Sequence, residues 1–113
     1  MHELSVALSM VDLAEKEVQR AEASEVTEIE LEIGRFSGVE MDAFDFAWPM
    51  AVKDTVLAHA KRRVIRIEGR SHCPECDSHF ESQHFFDPCP ECGNPFCVVE
   101  AGKELKIKSL TVN

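Results

Sequence analysis

The sequence predicts an α+β protein: a small mixed three-stranded sheet packed by two helices, with an inserted four-cysteine, zinc-ribbon-like hairpin. Three observations lead there. Apolar residues recur at three- and four-residue spacing near the amino terminus. Three later segments alternate or cluster β-branched and aliphatic residues between turn signals. Two knuckles, Cys73-Pro74-Glu75-Cys76 and Cys89-Pro90-Glu91-Cys92, stand twelve residues apart, the spacing that four tetrahedral ligands on one zinc ion require.

The first helix is expected over residues 4–22, with Leu4, Ala7, Leu8, Val11, Ala14, Val18 and Ala21 on its inward stripe and Ser5, Ser9, Asp12, Lys16 and Gln19 outside it. Ala23, Ser24 and Glu25 lead into the strand Val26 to Ile33, ended by Gly34. Ile29, Leu31 and Ile33 point to one face and Glu28, Glu30 and Glu32 to the other, so one face is buried and the other wet. Ser37-Gly38 makes a turn. A second helix over 40–52 rests on Met41, Phe44, Ala47, Trp48 and Ala51, and Pro49 predicts a kink or break inside it. The basic Lys61-Arg62-Arg63 reads as a solvated turn before a second strand, Arg63 to Gly69. A third strand covers 105–112, where the alternation slips at Ser109 and suggests a bulge. Lys106 and Lys108 suit the acidic face of the first strand, which places the last strand beside the first. The division expected is a discontinuous α/β domain, 1–70 plus 98–113, and a zinc-binding hairpin domain, 71–97.

The cysteines fix the hairpin. Pro74 and Pro90 preset each turn, and Asp77 and Gly93 follow the second cysteine of each pair, where left-handed backbone angles are useful. Phe80, Phe85, Phe86 and Phe96 are its main apolar residues. That is too little core for the segment, so metal binding has to supply folding energy, about 10–16 kcal/mol in comparable small sites. Four cysteine ligands leave no open position for water or substrate, which argues for structure rather than catalysis. His72, His79 and His84 flank the knuckles, and one of them replacing a cysteine is the alternative coordination. Cys97 is unpaired and reads as a small buried hydrophobe rather than a fifth ligand.

Charge excludes one common role of zinc ribbons. Twelve Lys plus Arg against twenty-one Asp plus Glu give a formal net charge of −9, the wrong sign for displacing counterions from phosphate. Nucleic acid is not an expected partner. The opening residues are charged and no apolar run approaches bilayer length, so neither a signal peptide nor a membrane span is expected, and a reducing cytoplasmic setting follows, which favours metal ligation over disulfides. There is no Gly-rich phosphate loop and no open-site metal triad, so the chain is not expected to be an enzyme.

A second metal site is readable at Met1-His2-Glu3. The terminal amine and the His2 amide nitrogen close a five-membered chelate ring, and the imidazole and the same amide close a six-membered one. Nitrogen donors in a tetragonal plane suit Ni(II) or Cu(II). A backbone or side-chain group of Glu3, or a donor from a partner, is the candidate fourth ligand.

Met1-His2-Glu3-Leu4-Ser5, Leu31-Glu32-Ile33-Gly34 with Val39-Glu40, the two cysteine knuckles and Lys108-Ser109-Leu110 together resemble the HypA/HybF family of [NiFe]-hydrogenase nickel-incorporation proteins. The resemblance runs in order along essentially the whole chain; Pro49 and Cys97 depart from the pattern. It implies a nickel metallochaperone that binds Ni(II) as transferred cargo through the Met1 amine and His2, with Glu3 and Glu40 as candidate contributors and a structural Zn(II) at Cys73, Cys76, Cys89 and Cys92. It also implies a maturation GTPase and the hydrogenase large-subunit precursor as partners, and is compatible with a homodimer. The competing reading is a zinc-ribbon adaptor between proteins, with nickel incidental.

Overall fold

The computed structural model describes residues 2–113. Two helices and six strands follow one another as α1 (Glu3–Arg20), β1 (Val26–Gly34), α2 (Met41–Val52), β2 (Lys61–Ile67), β3 (Arg70–His72), β4 (His79–Glu81), β5 (Val98–Ala101) and β6 (Leu105–Val112). The strands make two three-stranded sheets, ordered β2-β1-β6 and β4-β3-β5. The expected α+β class and the mixed first sheet are both present. β6 runs antiparallel to β1, with the Asn113 N–H donating to the Glu25 carbonyl at one end (2.9 Å) and the Gly34 N–H to the Glu104 carbonyl at the other (2.7 Å). β2 runs with β1 on its other side, Glu30 facing Arg63 (3.5 Å) and the Arg35 N–H reaching the Ile67 carbonyl (2.9 Å).

The chain divides into two compact units. The first comprises Met1–Leu31, Val39–Ile65 and Lys106–Asn113; the second comprises Glu32–Gly38 and Arg66–Leu105.

In the first unit α1 turns Ala7, Met10, Val11, Ala14 and Val18 inward, and α2 turns Phe44, Ala47, Trp48, Ala51 and Val52. The small alanines let the two helices pack closely, and Val26, Ile29 and Leu31 of β1 complete the core with Leu57. The inward stripe of α1 differs from the sequence reading: Leu4, Leu8 and Ala21 are exposed, Ala21 lying past the helix end, and Met10 is buried. The helix closes with Glu22 in the left-handed region (φ 53°) and the Ala23 N–H bonded to the Val18 carbonyl at 3.0 Å, a Schellman-type end without its usual glycine.

Two local expectations are corrected. Of the kink or break expected at Pro49, the break does not occur: α2 runs through the proline as one helix. The intrahelical bond that proline removes belongs to the Asp45 carbonyl, four residues back on an exposed part of the helix where water can replace it, while buried Ala47, Trp48, Ala51 and Val52 hold the turns on either side. Lys61-Arg62-Arg63 is not a solvated turn but the start of β2. The Arg62 guanidinium lies over the rings of Phe44 and Trp48, 5.5 and 5.2 Å from their centroids, and binds Asp45 at 2.6 Å. In β6 the exposure pattern slips at Ser109 as expected, Lys108 and Ser109 both being exposed, and Ser109 Oγ donates to Glu30 at 2.6 Å.

The second unit has almost no large buried side chains. Ile33, Cys73, Cys89, Ser71 and Ser82 are buried, with the two serine hydroxyls bonded to each other at 3.0 Å. Backbone fills the space that side chains would otherwise occupy. A Cβ on Gly34 would stand 2.0 Å from the Gly102 carbonyl oxygen, and one on Gly69 would meet the Phe36 ring and the Ser82 carbonyl, each at 2.4 Å. Phe36 also meets Phe85 edge-on at 5.7 Å. Because the neighbours of Gly34 are backbone and cannot rotate away, Gly34→Ala should destabilise the protein by about 1–3 kcal/mol, read as a lowered urea midpoint with an unchanged slope.

Candidate metal centres

The two knuckles fold alike, because their sequences impose the same turn twice. The Cys73 N–H bonds the Ser78 carbonyl (2.8 Å) and the Asp77 N–H returns to the Cys73 carbonyl (2.9 Å); the Cys89 N–H bonds Asn94 (2.9 Å) and the Gly93 N–H returns to Cys89 (2.9 Å). Asp77 (φ 61°) and Gly93 (φ 76°) take the left-handed angles that close each turn. This brings the four thiols together, every sulfur within 4.8 Å of the others. Cys73 and Cys89 are buried, Cys76 and Cys92 exposed. The Cys73–Cys92 and Cys76–Cys89 sulfurs are each 3.6 Å apart. With Zn–S bonds of about 2.3 Å a regular tetrahedron has edges of roughly 3.8 Å. The donor set and its spacing suit zinc.

The surroundings also favour thiolate. The Cys76 N–H, helped by the Asn94 side-chain amide 3.5 Å from the sulfur, lowers the Cys73 thiol to about 6 against the opposing effect of burial. Cys76 is lowered as well, chiefly by the Ser78 hydroxyl 3.2 Å away. Cys92 goes the other way. The Asn94 N–H favours its thiolate, but the Cys73, Cys76 and Cys89 sulfurs together with burial outweigh it and push the thiol up to about 12. Without a cation the cluster cannot hold four negative charges. Cys97 is not one of the four clustered sulfurs; it is half-buried and donates to the Asn94 carbonyl at 3.3 Å, and burial, then the neighbouring Cys73 sulfur, raise its thiol.

None of the flanking histidines takes a cysteine's place in the quartet. His84 binds Asp87 at 3.2 Å. His72 on β3 and His79 on β4 lie directly opposite one another in antiparallel register, and together with Asp77 form a separate group of potential ligands. The sequence marks Asp77 only as a turn residue and Glu100 not at all, because their place beside these histidines depends on the β4-β3-β5 sheet, which no periodicity in so short a segment reveals.

At the other candidate centre, Met1 lies outside the described residues. His2 is exposed and sits at the N-cap of α1 (φ −85°, ψ 98°), where its side chain makes no capping bond. Glu3 Oε2 accepts the Glu40 N–H at 3.1 Å, and Glu40 Oε1 accepts the Asp42 N–H at 3.1 Å to cap α2. The starts of the two helices are thus tied together beside His2. The Glu40 N–H holds the Glu3 carboxyl below its ordinary range.

Fold and sites define a small metal-binding protein with a closed four-thiol centre. A family model described as "Hydrogenase/urease nickel incorporation, metallochaperone, hypA" matches residues 1–112. The chain belongs to this HypA family of non-catalytic nickel metallochaperones. It is 44% identical over 114 residues to the hydrogenase maturation factor HypA of Parabacteroides distasonis, covering 99% of this chain and 97% of that one. It is 39% identical over 112 residues to the corresponding factor of Geobacter metallireducens, covering 99% of each. The solution structure of the nickel metallochaperone HypA from Helicobacter pylori, 22% identical, has the same fold, with a TM-score of 0.70 over 99% of this chain and 97% of that one. No helix among the described residues is long and apolar enough to cross a membrane.

Two outcomes follow for the quartet. Zinc-bound sulfurs are thiolates, so the proton on Cys92 must leave on binding. Zinc affinity, read by chelator competition, should therefore rise as pH increases above the Cys73 value of about 6, and a pH-independent affinity would contradict the cluster as described. Cys97→Ser should keep one zinc per chain, whereas Cys76→Ser should lose it with the ordered structure of the second unit.

Proposed function

We propose that this protein binds Ni(II) through the Met1 amine and His2 and delivers it for maturation of [NiFe]-hydrogenase, while a zinc ion at Cys73, Cys76, Cys89 and Cys92 is structural. The observation that carries this reading is the position of His2. It is the N-cap of an eighteen-residue helix, exposed and without a capping bond. The amides at a helix start have no intrahelical partner, so a metal can take the His2 amide nitrogen without breaking the ladder that begins at the Val6 N–H and His2 carbonyl (3.1 Å). Amine, amide and imidazole then offer three nitrogens to one side of a square-planar ion.

Glu3 and Glu40 support the site by holding the helix starts together, and the Glu3 backbone or a carboxylate supplies the fourth donor. Each carboxylate accepts a backbone N–H through one oxygen, which leaves its other oxygen as the donor for a metal. A site with few chelate rings at a chain end is open on one edge, so an incoming ligand can displace the protein's donors stepwise, which is what cargo transfer needs. The partners this reading supplies are a maturation GTPase and the hydrogenase large-subunit precursor; the family description extends the recipient class to urease.

The test uses untagged, zinc-loaded protein and competition with a metal-binding dye. His2→Ala, or an extension ahead of Met1, should abolish the tight nickel equivalent and leave zinc content and circular dichroism unchanged. Affinity should also fall with decreasing pH, since amine and imidazole bind only when deprotonated. Tight nickel retained by His2→Ala would refute the site, and a His2 variant that still supports hydrogenase assembly would favour the adaptor reading.

A further inference from the structure

Beside the quartet, on the small second sheet, lies a group of side chains that neither zinc nor the amino-terminal site uses. His72 and His79 face each other across β3 and β4, their rings 4.4 Å apart and within 19° of parallel. His72 Nε2 is 2.6 Å from Asp77 Oδ1. His79 Nδ1 is 2.9 Å from Glu100 Oε1 and 3.0 Å from Oε2, Glu100 standing on β5. One ligand atom from each of His72, Asp77 and His79 lies within 4.8 Å of the other two. We propose that His72, Asp77 and His79 form a second divalent-metal site of this unit, with Glu100 as the carboxylate that orients His79.

The chemistry of the donors argues for it. A carboxylate on one imidazole nitrogen fixes the proton there and leaves the other nitrogen with a free lone pair, the arrangement that metal-binding histidines ordinarily have. Glu100 on Nδ1 thus turns His79 Nε2 into a ligand. Two imidazoles and one carboxylate select borderline divalent ions of the nickel, copper and zinc series over calcium or magnesium. The three groups come from two adjacent strands and the left-handed residue Asp77 (φ 61°), so the turn that closes the first cysteine knuckle also delivers the carboxylate. Asp77 is exposed and the His79 side chain is 48% exposed, which leaves the site accessible.

The stacked rings set a limit on affinity. Imidazole lone pairs lie in the ring plane, so two near-parallel rings do not aim at one point. Capture requires one ring to turn out of the stack, and it is His72 that turns as Asp77 exchanges its 2.6 Å bond to His72 for the metal, while Glu100 keeps His79 in place. The site should therefore bind more weakly than the amino-terminal one, and it leaves open positions on the metal, as suits an ion held in transit.

The test is nickel titration of zinc-loaded His2→Ala protein, followed by proton NMR and by a dye that reports released zinc. One nickel per chain should bind, shift the His72 and His79 ring resonances through its unpaired electrons, and release no zinc. His79→Gln should lose this equivalent while keeping zinc, and Glu100→Gln should weaken it about 10-fold. Uptake unchanged by His79→Gln, nickel entering only as zinc leaves, or no uptake by His2→Ala protein would each overturn the proposal. None of these outcomes bears on the amino-terminal site, whose failure shows instead as tight nickel surviving in His2→Ala.

Discussion

The second unit depends on one electrostatic constraint: four thiols packed within 4.8 Å of each other cannot all ionise unless a cation sits among them. Cys92, pushed up to about 12 by the other three sulfurs and by burial, expresses that constraint, while the Cys76 N–H lets Cys73 ionise first, at about 6. Little else holds this part of the chain. Its large buried side chains are few, Phe86 and Phe96 are exposed, and its interior is largely backbone brought close at Gly34, Gly69 and Gly102. A dication held among the thiolates would therefore act as the core. The first unit is built the usual way, with two amphipathic helices against alternating strand residues.

The same division explains why the two metal centres differ in chemistry. Four soft sulfur donors suit zinc in a closed tetrahedron, which would offer no route for exchange. The nitrogen donors proposed for nickel offer the reverse, His2 being exposed at a helix start with no capping bond. The Glu3–Glu40 tie links the first turns of α1 and α2, so the cargo site proposed at His2 would rest on the helix pair with its imidazole at the solvent edge.

Much of this was legible in the sequence. Periodicity located both helices, β1 and β6, and the basic and acidic faces of β6 and β1 placed those strands side by side. The knuckles were legible down to Asp77 and Gly93, because a left-handed angle is a local property. What escaped was whatever depended on distant neighbours. Phe36 has no periodic context, yet it lies against Gly69 and Gly102. Arg62 read as solvated because nothing local shows the Phe44 and Trp48 rings that it covers. Pro49 read as an interruption because propensity does not register that the bond it removes faces water. His79 and Glu100 meet only through two short strands held apart in sequence by the second knuckle.

The central claim is a separation of metals: sulfur holds the frame and nitrogen with oxygen holds the cargo. X-ray absorption at the zinc and nickel edges of protein loaded with one equivalent of each tests it most directly. The account predicts four sulfur neighbours around zinc and only nitrogen and oxygen neighbours, imidazole among them, around nickel. Sulfur scattering at the nickel edge, or fewer than four sulfurs at zinc once nickel is bound, would contradict it.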